Sequence, residues 1–280
     1  MKKWKTYLCL LPLVFFICFF GAMIVLGRSY MSSFYQKNSQ IYSSRMNPTI
    51  FVPGSSATQE RFNPTFRALE KLGWNHSVLK LTVKKDNSIS YTGSISSGDR
   101  RPNIVIAFED NTDSYANIKR QAAWLDVALT ALQNKYHFRR FNAVGHSNGG
   151  LDWAFYLENY YGDSNFQINT LMTIGTPYNL EVTNIKYHTQ MLTDLIASKE
   201  NIPSNLTVYS LAGSDNYDGD YIVPITSVEA GKYVYQNQVS HYTHVTVTGT
   251  DSQHSELPEN QQVIQYIHQY VLNNTNAQPR

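Results

Sequence analysis

The segment FNAVGHSNGGLDW, residues 141–153, constrains this chain more than any other stretch. An apolar run containing Phe141, Ala143 and Val144 feeds directly into Gly145-His146-Ser147-Asn148-Gly149-Gly150, and a second apolar stretch starts at once behind it. Gly-x-Ser-x-Gly between a buried strand and a helix is the pattern of a nucleophile elbow. The Ser backbone is strained there, and a side chain at either flanking position would strike the neighbouring strand or helix. The turn lifts the Ser147 hydroxyl above the C-terminal edge of a sheet, where a base can reach it. The plainer alternative is a glycine-rich strand-to-helix turn without chemistry.

The surroundings fit that context. PTIFVPGSSA reads as a buried strand ending at Pro53-Gly54, and ERFNPTFRALEKLGW as a helix stopped by Gly73. SVLKLTVKKDNSISYTGSI alternates apolar and polar residues around Asp86-Asn87, which predicts a hairpin. NIVIAFED is a further buried strand. Ile118, Ala122, Leu125, Leu129, Leu132 and Tyr136 mark one face of a long amphipathic helix. INTLMTIGTP, LTVYSLAGS and HVTVTG supply more strands, and Val263, Ile264, Ile267 and Val271 a closing helix. Strands alternating with helices predict an α/β fold with a mainly parallel sheet covered on both faces.

The N-terminus is of a different kind. Tyr7 to Leu26 carries no charge, and as a helix this run would span about 30 Å, the thickness of a bilayer's hydrocarbon core. Lys2, Lys3 and Lys5 precede it, so an N-in orientation with the rest of the chain exported is expected. Residues 1–28 therefore read as a signal anchor, or a signal peptide if cleaved near Val25-Leu26-Gly27. Residues 29–47, rich in Ser, Asn and Tyr, read as a tether, residues 48–274 as one domain and 275–280 as a disordered tail. Take Lys2, Lys3, Lys5 and Arg28 from the 23 basic residues, and the 21 acidic ones are in slight excess. No basic stripe points to nucleic acid. Both cysteines, Cys9 and Cys18, fall in the apolar run. The expected domain then has neither disulfides nor thiolate metal ligands, which suits a bacterial envelope.

From Pro48 to Asn273 the chain resembles the α/β-hydrolases of lipase and esterase type, and more closely the exported bacterial ones described as cell-surface hydrolases. PTIFVPGSS, GHSNGG, TIGTPYN, DGDYIVP and HSELPEN occur in the order that family has them. Two positions depart from it. Pro53 stands where many lipases have a His, and Asn148 where the elbow commonly has Met.

The resemblance implies a triad in the order Ser, acid, His. His241, His244, His254 and His268 follow the candidate acids. His254 lies in a loop after the last strand and is the expected base. His241 and His244 flank or occupy that strand, and His268 falls within the closing helix. For the acid, the related Asp-Gly-x-Val-Pro pattern selects Asp220 through Pro224, with Tyr221 where Gly is usual and Asp218 as runner-up. A calcium loop over 216-218-220 fits loosely, because Tyr221 replaces the required Gly. An oxyanion hole would take backbone N–H groups from Asn148 and from Ser55, with Ser56 the other candidate. Residues 178–205 correspond to a cap insertion, whose Tyr178, Met191 and Leu192 would line an acyl pocket or pack the cap. The implied activity is cleavage of a small-molecule or lipid ester, without metal or organic cofactor. An acyltransferase, a peptidase and a non-catalytic surface protein are the competing readings.

Overall fold

The computed structural model describes residues 19–31, 45–215, 218–249 and 251–273. The chain divides into two units, Met1–Ser44 and Arg45–Arg280. In the first, residues 19–31 form a helix (α1) whose Phe19, Phe20, Met23, Ile24, Val25 and Leu26 are all more than half exposed. Most of the Tyr7–Leu26 run lies outside the described residues, as do most of the expected tether and the tail at 275–280. Among the described residues no helix is long and apolar enough to cross a membrane.

The second unit is built on an eight-stranded sheet in the order β3-β2-β4-β1-β5-β6-β7-β8. The strands are β1 (Thr49–Val52), β2 (Val78–Val83), β3 (Ile89–Gly93), β4 (Asn103–Phe108), β5 (Arg140–His146), β6 (Gln167–Ile174), β7 (Thr207–Ser214) and β8 (His241–Thr248). All neighbours pair in parallel except β3, which returns antiparallel on β2. That hairpin turns at Asn87, whose φ of 66° suits the left-handed tolerance of Asn.

Alternation along each strand divides the core in two. Ile50 and Val52 of β1, and Ile104 and Ile106 of β4, face one layer, while Phe51 and Val105 face the other. On the first face lie α3 (Tyr115–Tyr136), α4 (Asn148–Asn159), α5 (Gln190–Ser198) and α7 (Gly231–Tyr235). On the second lie α2 (Asn63–Lys71) and the closing segment, α8 (Gln261–Tyr266) continuing as a π-helix over Ile267–Leu272. A short α6 (Ile225–Glu229) follows β7. The last strand starts at His241, earlier than the apolar pattern alone indicates, because β8 pairs with β7 along all of Thr207–Ser214.

The expected cap is corrected in part. Tyr178, Met191, Leu192 and Leu195 are at most 1% exposed and belong to the same core layer as Trp153 and Tyr156. Tyr178 donates its hydroxyl to Thr173 Oγ1 at 3.1 Å and packs edge-on against Tyr235. These residues hold the segment to the sheet and offer no surface to an acyl chain. The resemblance implied a cap at 178–205 but left open whether its apolar residues line a pocket or pack, and here they pack.

Candidate active site

Parallel pairing brings the C-terminal ends of β1, β5, β7 and β8 to one edge of the sheet, where ligands bind in open α/β sheets. Val52 of β1 is in register with Gly145 of β5, so the loop after β1 runs beside the elbow. Ser147 sits between β5 and α4 with φ 54° and ψ −127°, a strained conformation for a residue with a side chain. Close packing explains the glycines. A Cβ at Gly149 would fall 2.1 Å from the Val52 carbonyl oxygen, and one at Gly54 would fall 2.6 Å from Ser147 Cβ.

Three predicted residues meet there. His254 Nε2 lies 2.8 Å from Ser147 Oγ, and His254 Nδ1 lies 2.7 Å from Asp220 Oδ2. With Nδ1–H donated to Asp220, Nε2 is the acceptor for the Ser147 hydroxyl. Ser147, Asp220 and His254 are 7%, 1% and 7% exposed, so the chain of contacts is shielded from water. Asp220 Oδ1 accepts from the N–H groups of Val223 at 2.7 Å and Ile222 at 3.1 Å, so both carboxyl oxygens are occupied. That leaves the loosely fitting calcium loop without this ligand; Asn216 lies outside the described residues.

The choice of Asp220 over Asp218 has a local cause. Tyr221 adopts φ 72°, the left-handed conformation that explains why Gly is usual there. This turn folds the Ile222 and Val223 amides back onto Asp220. Asp218 is exposed, and its carbonyl accepts from Ile225 N–H. His241 is exposed, His244 lies on β8, and His268 contacts Asn273 on the surface, so none of the three joins Ser147.

His146 has a part that the sequence does not disclose. Its Nε2 donates to the His254 carbonyl at 2.9 Å, while His254 N–H donates to the Asp220 carbonyl at 3.0 Å. The backbone of His254 is thus held at both ends. Burial, then the nearby His254 and Arg61, push the His146 pKa well below the usual histidine range, so it stays a neutral donor. Arg61 clasps the same loop, donating to the Ser255 carbonyl and to Glu259 Oε1 at 2.8 Å.

Ser55 and Asn148 differ from the other candidate, Ser56, in what their N–H groups do. Ser56 N–H donates to the Asn111 carbonyl at 2.9 Å and is therefore engaged. The N–H groups of Ser55 and Asn148 have no acceptor among the described residues. The Asn148 side chain donates through Nδ2 to Asp113 Oδ1 at 2.8 Å.

A parallel sheet flanked by helices, with a serine elbow at its C-terminal edge, defines the class of the protein as α/β-hydrolase. The model of the family of α/β-hydrolases of unknown function, DUF915, matches residues 36–274, and the chain belongs to that family. It is 49% identical to a protein of Lactobacillus plantarum WCFS1 described as a cell surface hydrolase, with a TM-score of 0.76 over 82% of this chain and 93% of that one. It is 25% identical to the lin2722 gene product of Listeria innocua, with a TM-score of 0.74 over 82% and 94%. The mature lipase BlEst2 of Bacillus licheniformis shares the fold at 11% identity and a TM-score of 0.50, over 81% and 93%. No curated protein matches the chain.

Proposed function

We propose that the protein is a serine hydrolase that cleaves carboxylic esters through Ser147, His254 and Asp220. The observation that carries this reading is the buried chain of hydrogen bonds from Ser147 Oγ through the His254 imidazole to Asp220. His254 takes the hydroxyl proton as Ser147 attacks the ester carbonyl, and Asp220 orients the imidazole and stabilises its charge. The N–H groups of Ser55 and Asn148 receive the oxyanion, each donor contributing about 2.7–4 kcal/mol. His254 then protonates the leaving alcohol. Water repeats the sequence on the acyl-enzyme and releases the acid.

The reading extends to location. The apolar N-terminal run, the exposed apolar side chains of α1 and the basic residues before them support export with the N-terminal segment held in the membrane. The description of the Lactobacillus relative as a cell surface hydrolase agrees with that placement.

The test is turnover of a panel of p-nitrophenyl esters of increasing acyl length by the full chain, with Ser147→Ala as control. Hydrolysis of at least one ester is expected, with Ser147→Ala about 10³-fold slower or worse. Equal rates in the two proteins would refute the reading.

A further inference from the structure

The segment between β4 and α3, Glu109–Ser114, takes no part in the chemistry proposed above, yet it touches both places from which the oxyanion donors come. On one side, besides accepting from Ser56, Asn111 donates through Nδ2 to the Ala57 carbonyl at 2.7 Å. On the other, Asp113 accepts from the Asn148 side chain. The segment is itself braced. Asn117 Nδ2 donates to the Thr112 carbonyl at 2.8 Å and Gln121 Nε2 to the Asp110 carbonyl at 2.8 Å, both from the buried side of α3. Ser114 caps that helix by accepting from Asn117 N–H at 3.1 Å. Lys85, in the turn of the β2–β3 hairpin, pairs with Asp110 at 3.2 Å.

We propose that Asn111 and Asp113 are positioning residues that set the spacing between the Ser55 and Asn148 N–H groups. The inference rests on the serine-hydrolase reading. Neither donor is fixed by sheet pairing. Ser55 lies in a loop, and Asn148 opens α4. An oxyanion hole works only when its donors sit about 2.7–3.1 Å from the developing oxyanion, and a shift of about 1 Å costs on the order of 10²-fold in rate. One rigid segment bonded to both sides removes that freedom. It also accounts for the amide at Asn148, since the thioether of the commoner Met could not donate to Asp113. The effect is on the transition state, so it falls on kcat and leaves KM nearly unchanged.

The experiment compares Asp113→Ala, Asn148→Ala, their double variant and Asp113→Asn in the full chain. Each is assayed for p-nitrophenyl ester turnover and for inhibition by a trifluoromethyl ketone, which forms a tetrahedral adduct. Thermal melting identifies the folded variants. Asp113→Ala is expected to lower kcat by about 10–100-fold, with KM within about two-fold and ketone affinity falling in step. Asn148→Ala keeps its backbone N–H but loses the same contact, so it should match, and the double variant should lose no more than either. Asp113→Asn keeps an acceptor oxygen and should recover to within about three-fold. Wild-type kcat in Asp113→Ala, a loss confined to KM, or fully additive losses would overturn the proposal. If Asp113→Ala does not fold, Asn148→Ala alone decides, by the same split between kcat and KM. An inactive wild type would remove the serine-hydrolase reading and this inference with it, whereas an active wild type with an unaffected Asp113→Ala removes only the inference.

Discussion

Asp220 and the carboxyl groups of α4 are both buried, on opposite terms. Asp220 has a donor on each oxygen: the His254 imidazole on one, and two backbone N–H groups on the other. Asp152 and Glu158, on the helix that starts directly behind Ser147, are 1% and 4% exposed, and Asp152 Oδ1 and Glu158 Oε1 have no partner among the described residues. Burial pushes the Asp152 pKa well above the usual carboxylate range. It lifts Glu158 to about 9, helped by the negative charge of Asp194. Burial without donors on both oxygens thus favours the protonated carboxyl group, and at Glu158 a neighbouring carboxylate adds to the effect. At Asp220, donors on both oxygens instead hold the carboxyl group in one orientation, facing the His254 imidazole.

The largest expected effect breaks the first half of this comparison. Asp220→Asn should lower kcat about 10⁴-fold, as loss of the orienting acid does in serine triads, because the amide favours the wrong imidazole tautomer. Asp152→Asn should leave kcat within about two-fold, since an uncharged carboxyl group and an amide are alike there. Steady-state ester hydrolysis measures both. Equal losses would mean that the two aspartates do not differ as described.

A smaller effect, on stability, sharpens the second half. Glu158 holds its proton in the folded state up to about pH 9, but in the unfolded chain only up to its ordinary value of 4.5. Its raised pKa therefore favours the fold most below about pH 4.5, and stability falls as pH rises from there towards 9. Glu158→Gln lacks this slope. Its gain in unfolding free energy should be larger at pH 8 than at pH 5 by about 2–4 kcal/mol in urea melts, with kcat unchanged. A gain equal at the two pH values would contradict the assignment.

Much of this was legible in the chain itself, for a reason that differs from residue to residue. The strands and the elbow declare themselves through local patterns: a buried run, two glycines with no room for a side chain, and a helix behind. The order of Ser147, Asp220 and His254 was implied by the resemblance to α/β-hydrolases, and the fold brings the three together because their loops meet at one sheet edge. For Tyr178, Met191 and Leu192 the resemblance left lining and packing both open, and their burial against distant core residues decides for packing, which no local pattern discloses. The bond from Asn148 to Asp113 spans 35 positions, and the one from His146 to His254 spans 108, so no local pattern could disclose either. Ser55 and Ser56 are adjacent and chemically identical, and the folded backbone tells them apart: Ser56 takes φ 58° and gives its N–H to the Asn111 carbonyl.

The central claim is that His254 makes Ser147 a nucleophile. Incubating the full chain with a fluorophosphonate and mapping the adduct by peptide mass spectrometry tests it most directly. The account predicts one phosphonylated residue, Ser147, with labelling abolished in Ser147→Ala and slowed by orders of magnitude in His254→Ala. A folded wild-type protein that takes up no label, or a label on any other residue, would contradict it.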